Sequence, residues 1–340
     1  MRLPKGAFAL AGVAVLALSA CGGGGSSSAS PGTATLNIAF LPKAVNNPYF
    51  DVAATGGQEA ATALSGQFKQ VGPSDATGAA QIPFIQTLTQ QNVSAIVVSA
   101  DDPNAIAPAL KQAMSKGIKV VGYDSSPATD ARNVFINQAD SKGIGEVQVQ
   151  MVCDEIPGCA GDIAILSATS TATNQNAWID FMKAALASNS KYSGLKLVKV
   201  AYGNDDPQVS TTEAQGLLQA YPNLKGIISP TTVGISAAAQ VLEQTGKAGK
   251  VALTGLGTPN LMRKYVKDGT CKEFALWNVK DLGYLAYYTA ALLVQGKIKG
   301  TAGEKFTAGR LGDYTIDTST TVLLGPPFVF KADNIDQLNF

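Results

Sequence analysis

The sequence predicts an α/β fold built as two doubly wound lobes, and three observations carry that prediction. Short β-branched runs alternate with helix-period segments from Thr35 onward. Several runs, such as Ala-Ile-Val-Val-Ser at 95–99 and Asp-Ile-Ala-Ile-Leu at 162–166, are apolar at successive positions. Strands covered on both faces of a parallel sheet read this way. The third observation is an internal echo. Residues 95–127 read strand, Ser99-Ala-Asp-Asp-Pro103, helix, Gly-Ile-Lys-Val, strand, Pro127. Residues 226–259 read strand, Ser229-Pro-Thr-Thr, helix, Gly-Lys-Val, strand, Pro259. One supersecondary recipe used twice, so far apart, indicates two similar lobes and not a stacked array of short repeats.

Taken in order, the first half alternates strand Leu36–Phe40, helix Tyr49–Leu64, strand Phe68–Val71, helix Ala79–Gln91, strand Ala95–Ser99 and helix Asn104–Lys116. Strands Lys119–Tyr123 and Asn133–Ile136 complete it. The second half opens with helix Gly143–Asp154 and strand Asp162–Leu166, then helix Gln175–Ser188, strand Leu195–Ala201 and helix Thr211–Ala220. Strand Gly226–Ser229, helix Ile235–Thr245, strand Lys250–Gly255, helix Asn260–Asp268 and strand Glu273–Trp277 follow. Helix Leu282–Gln295 is the last predicted element.

Composition narrows the function. The 340 residues are 46% apolar, enough for two cores, and only 15% charged, against roughly 25% for an average soluble protein. Lys plus Arg number 26 and Asp plus Glu 25, which gives no basic field for nucleic acid and no acidic tail. Histidine is absent. That excludes histidine-based triads, histidine-ligated metals and the commonest general base near neutral pH. With four cysteines besides, no metal site and no cofactor is expected. No Gly-x-Gly-x-x-Gly follows the first strand and no Walker A sequence occurs, so phosphate cradles lack support.

The amino terminus reads as an export signal. Arg2 and Lys5 precede an uncharged, mostly apolar stretch, Ala7–Ala20, too short for the roughly 20 residues that a bilayer span requires. Leu18-Ser19-Ala20-Cys21 resembles the bacterial lipobox, which implies a signal peptide over 1–20 and lipidation of Cys21. The Gly/Ser run over 21–34 then suits a flexible tether. The alternative is an ordinary secretory signal with an incidental cysteine. Cys153 and Cys159 bracket Asp-Glu-Ile-Pro-Gly in a chain bound for an oxidising compartment. They either form a disulfide, worth about 2 kcal/mol by loop entropy, or remain two thiols. Cys271 is left as a small buried apolar residue.

Ligands of open α/β sheets bind beyond the carboxyl ends of the strands. Those positions here hold Lys43 to Phe50, Asp101 and Asp102, Asp124, Thr171 to Gln175, Gly203 to Asp206, Pro230 to Thr232, Gly257 to Pro259 and Trp277. Amides, carboxylates and rings together suit a sugar, with hydrogen bonds to hydroxyls and aromatic faces against C–H groups. Gly203-Asn-Asp-Asp and Leu-Thr-Gly-Leu-Gly-Thr also read as plain turns. Adjacent Asp101 and Asp102 do not make a glycosidase pair, because such carboxyls stand at least about 5 Å apart across one bond.

From about Thr35 to Phe340 the chain resembles the type I, ribose-binding-like sugar-binding proteins of ABC importers, most narrowly the rhamnose-binding and autoinducer-2-binding branch. The carriers are Phe40-Leu-Pro-Lys-Ala-Val-Asn-Asn-Pro-Tyr-Phe50, Val121-Gly-Tyr-Asp-Ser125, Ala172-Thr-Asn-Gln-Asn-Ala-Trp178, Ile228-Ser-Pro-Thr-Thr-Val-Gly234, Thr254-Gly-Leu-Gly-Thr-Pro-Asn260 and Phe274-Ala-Leu-Trp-Asn278. The resemblance implies two lobes joined by a three-strand hinge, with crossings near Gln138, near Trp277 and after Lys299. The amino-terminal lobe then comprises 35–138 with 277–305, and the carboxyl-terminal lobe 139–276 with 306–340.

It also implies ligand contacts at Lys43, Asn47, Phe50, Asp124, Asn174, Gln175, Thr232 and Trp277; their places past strand ends add Asp102, Pro230 and Thr231 to the expected set, while Trp178 reads as core. Asn174 and Thr232 depart from the autoinducer-2 pattern, and Leu256 and Trp277 from the ribose pattern, so L-rhamnose or a close 6-deoxyhexose is the expected ligand. The protein is then no enzyme but a monomeric lipoprotein on the outer side of the cell membrane. It would deliver sugar to a permease and its ATPase subunit, touching the membrane only through its lipid. Autoinducer-2 uptake is the nearer alternative. An exported carbohydrate-active enzyme is the further one, and a repressor's sensor domain lacks its helix-turn-helix here.

Overall fold

Two parallel sheets, each wrapped by helices, are seen in the computed structural model, which describes residues 35–340. The expected signal segment 1–20, Cys21 and the tether 21–34 lie outside these residues. The first sheet pairs β1 (Asn37–Leu41), β2 (Gln67–Gln70), β3 (Ala95–Val98), β4 (Lys119–Tyr123) and β5 (Val134–Asn137) in the order β2-β1-β3-β4-β5. Helices α1 (Pro48–Ala63), α2 (Gly78–Gln90) and α3 (Pro103–Ser115) connect its strands. The second sheet has the order β7-β6-β8-β9, from β6 (Gly161–Ser167), β7 (Leu195–Tyr202), β8 (Gly226–Ser229) and β9 (Ala252–Gly255). Its helices are α4 (Ser141–Glu155), α5 (Thr173–Ser188), α6 (Pro207–Ala220), α7 (Thr232–Gln244) and α8 (Pro259–Lys267). β10 (Phe274–Leu276) joins β9 through one bridge, Leu256 to Ala275.

All ten strands and nine helices expected from the sequence are present. The apolar runs are buried as continuous strands should be: every residue of β3 and β8 is covered. Most helices begin a few residues before their expected starts, because cap and proline, not apolar period, set the first turn. Asn47-Pro48, Asp102-Pro103, Asp206-Pro207 and Thr258-Pro259 all place proline at the first helical position. Asn47, Asp102 and Asp206 also accept a hydrogen bond from a first-turn N–H.

The chain passes between lobes more than once. After β5 it leaves the first sheet, and α4 packs on β8, β9 and α5, so the first crossing runs through Gln138. α9 (Val279–Val294) returns to lie on α1, β3 and β4. There the two backbones touch: a Cβ on Gly56 would stand 1.7 Å from the Lys280 carbonyl oxygen, and one on Gly283 1.8 Å from that of Ala53. The third crossing departs from expectation. The hairpin β11 (Lys305–Thr307) and β12 (Asp313–Thr315) is followed by β13 (Thr321–Leu323), which pairs with β5 on the edge of the first sheet. Arg310 ties this segment to the first lobe through Asp281 at 2.6 Å and the ring of Tyr284 at 4.4 Å. β14 (Phe328–Phe330), antiparallel to β10, and residues 335–340, bonded to Asn260 and Arg263 of α8, reach the second lobe. The crossing therefore follows Leu323 and not Lys299, and residues 306–323 pack with the first lobe.

Cys153 and Cys159 are bonded across the end of α4, and Cys271 is a buried free thiol. Among the described residues no helix is long and apolar enough to cross a membrane.

Candidate functional site

The carboxyl ends of the two sheets face one another across a cleft, and side chains from both line one small, largely filled pocket. Lys43, from the loop after β1, and Asp124, at the end of β4, form a buried ion pair at 3.6 Å, with side chains only 3% and 6% exposed. Ser99, just past β3, donates to Asp124 at 2.7 Å and fixes the carboxylate. Asp124 is left-handed, with φ of 60°. Few residues other than glycine adopt that conformation, and here it turns the carboxylate out of the strand into the cleft.

Helix α5 completes the polar wall from the other lobe. Asn174, in its first turn, accepts from Lys43 Nζ at 3.2 Å and donates to Asp124 Oδ1 at 3.2 Å. Ser125 and Thr173 meet beside them at 3.0 Å. Gln175 turns its Oε1 back to Ser167 and the Ala168 N–H, which pins the β6–α5 loop. Asp205, from the β7–α6 loop, accepts from Thr231. Burial pushes the Asp205 carboxyl upward, partly offset by Lys43 and by the Thr231 hydroxyl.

An aromatic wall stands opposite. Trp277 donates its indole N–H to the Tyr49 hydroxyl at 3.0 Å. Trp178 lies 5.9 Å from Trp277 between ring centres, and Tyr49 packs edge-on to Phe50 at 5.1 Å. Burial, then the Asp124 charge, raises the Tyr49 phenol well above its usual range, so it stays a neutral donor and acceptor. Leu256 and Leu276 fill the apolar corner.

Of the residues expected at the ligand, Lys43, Asn47, Phe50, Asp124, Asn174, Gln175, Pro230, Thr231, Thr232 and Trp277 all line this cavity. Asp102 does not. Its carboxylate caps α3 by accepting from the N–H groups of Asn104 and Ala105, and it faces a separate groove at the cleft mouth. Five lining residues stand outside the expected set: Tyr49, Trp178, Asp205, Leu256 and Leu276. Trp178 is buried, as a core residue should be, yet the face of α5 that it occupies is the cavity wall. Asp205 was hidden in Gly-Asn-Asp-Asp, which also reads as a turn, and its φ of 50° shows that it is one. Tyr49 stands outside the expected set, yet its ring reaches the cavity beside that of Phe50. Among the described residues no cluster of acidic or sulfur side chains is placed to hold a metal ion.

Among the described residues Lys43 is the one cation on these walls, set among acceptors, with amide and hydroxyl groups around it and rings across from it. Such a lining has the chemistry that a small polyhydroxylated molecule calls for: directional hydrogen bonds on one side, C–H packing on the other.

Comparison with known proteins agrees. The sequence profile of the periplasmic binding protein domain matches residues 38–298. A crystal structure of a sugar ABC transporter protein from Actinomyces odontolyticus is 51% identical, over 89% of this chain and 97% of that one, with a TM-score of 0.71. A solute-binding protein of an ABC transporter from Clostridium phytofermentas, with bound L-rhamnose, is 41% identical over 89% and 98%, with a TM-score of 0.86. LsrB from Clostridium saccharobutylicum, in complex with AI-2, is 25% identical over 89% and 99%, with a TM-score of 0.84. The chain belongs to the periplasmic binding protein domain family and has its type I, two-lobed α/β fold.

Proposed function

We propose that this protein is the extracytoplasmic sugar-binding component of an ABC importer and that its ligand is L-rhamnose or a similar 6-deoxyhexose. The observation that carries the reading is the two-sided cavity. Lys43, Asp124 and Asn174 offer hydrogen bonds on one side, and Trp178, Leu256, Leu276 and Trp277 offer an apolar surface on the other. A 6-deoxyhexose has the matching halves, a row of hydroxyls and a methyl group. The 41% identity to the L-rhamnose-bound protein supports the same ligand class. Binding needs no bond chemistry: contacts made by both lobes at once favour the closed arrangement. The closed form then meets the permease, and a lipid on Cys21 keeps the protein at the membrane.

Thermal unfolding with L-rhamnose, L-fucose, D-ribose and autoinducer-2 tests this. A ligand at 100 times its Kd adds about 2.7 kcal/mol, a shift of roughly 5–10 °C for lobes of this size. A shift with L-rhamnose is expected. A shift with autoinducer-2 alone would move the function to signal uptake, a reading that the 25% identity to LsrB also supports.

A further inference from the structure

Asp101 is a buried acid outside the cavity lining. It follows β3 at the cleft end of the first sheet and is 0% exposed. Its backbone N–H donates to Gln81 at 3.1 Å, but neither carboxyl oxygen has a hydrogen-bond partner among the described residues. The charged groups that face it are Lys43, from the β1 loop, Asp102 from its own loop, Asp124 from the end of β4 and, from the opposite lobe, Asp205. Lys43 is the one cation of the group and is already held by Asp124 and Asn174. Asp101 and Asp205 thus feel the charge of one amine that is paired with Asp124 and not with them.

An ionised carboxylate without partners is far costlier to bury than a neutral acid. We propose that closure of the lobes takes up one proton, held on Asp101, so that sugar capture is coupled to protonation. This rests on the cleft being the sugar site, as argued above. Opening would separate Asp101 from Asp205 and admit water, returning the group to ordinary carboxylate behaviour.

The electrostatics agree in sign. Burial first of all pushes the Asp101 carboxyl up to about 8 from 3.8; Lys43 opposes this, and Asp205, Asp124 and Asp102 add to it. In the arrangement described here Asp101 keeps the proton up to about pH 8; the open form, as proposed, releases it in the ordinary carboxylate range. Sugar affinity is then flat at low pH, falls by up to about tenfold per pH unit across the neutral range, and levels off in mild alkali.

Titration calorimetry of the purified protein with L-rhamnose, at pH 6, 7 and 8 in buffers of different ionisation enthalpy, reads the proton directly. The expected result is about one proton taken up per sugar at pH 6 and 7, with weakening affinity toward pH 8. Asp101→Asn should abolish uptake and flatten the pH profile while sugar still binds. Buffer-independent heats in the unaltered protein would overturn the proposal. So would uptake that survives Asp101→Asn and is lost only in Asp205→Asn.

A second arm needs no ligand. Ser125→Cys with Thr173→Cys, whose hydroxyls now stand 3.0 Å apart across the cleft, should lock the lobes when oxidised. Carbon-13 NMR of aspartate carboxyls should then show one group titrating near pH 8 when locked and in the ordinary range when reduced, and absent in Asp101→Asn. No such group in the locked form would sink the proposal. Silence with L-rhamnose alongside a positive locked titration would overturn only the choice of sugar.

Discussion

Asn174 and Asp124 meet across the cleft, the amide of one lobe donating to the carboxylate of the other over 3.2 Å. Each also engages Lys43, so three side chains from two sheets form one closed polar triangle. Hydrogen bonds to charged groups contribute roughly 1.5–3 kcal/mol. Asp124→Ala and Asn174→Ala should therefore each weaken sugar binding at least about tenfold, with the circular dichroism spectrum unchanged. Calorimetry decides it, and near-native affinity in both variants would place the binding site elsewhere.

The aromatic wall depends on a neutral hydrogen bond. Trp277→Phe removes the indole N–H that Tyr49 accepts, and Tyr49→Phe removes the acceptor. Each single change should loosen sugar binding by a few fold, since such a bond contributes about 1 kcal/mol. The double variant should be little worse than either single one. Fully additive losses in the double-mutant cycle would show that the two rings act independently.

Helices α1 and α9 approach so closely that side chains do not fit between them. Gly56→Ala or Gly283→Ala would drive a methyl group into backbone carbonyls, and overpacking of this kind costs about 1–3 kcal/mol or more. Gly216→Ala in α6 meets open space and should instead stabilise by about 0.5–1 kcal/mol. Urea unfolding that ranked all three alike would contradict this packing.

The Cys153–Cys159 bond closes a short loop at the end of α4, remote from the cleft. Replacing both cysteines by alanine should lower unfolding free energy by about 2 kcal/mol and leave sugar affinity as it was. Affinity that fell with the disulfide would tie this end of the second lobe to the cleft.

The sheets were legible because burial on both faces writes itself as unbroken β-branched runs, as in Ala95–Val98. β11 to β14 were not, since strands of three residues are too short to leave a periodic trace, and β12 (Asp313–Thr315) is polar and partly exposed besides. That is why the last crossing was misplaced. In the site, residues at strand ends could be found from topology, and ten of the eleven expected ones do line the cavity. Asp102 failed because one carboxylate at a helix start serves equally well as a cap. Trp178 escaped because an indole under the surface looks alike in sequence whether its neighbour is core or cavity.

The return of the chain to the first sheet has a consequence for biosynthesis. β13, emerging from the ribosome some 180 residues after β5, completes the edge of a sheet whose other strands were made first. Until α9 and β13 arrive, the nascent first lobe exposes both the face of α1 that Gly56 marks and the bare margin of β5. Long-range closures of this kind fold late and slowly. A growing chain that stays unfolded until its final stretch is made remains threadable through a translocation pore.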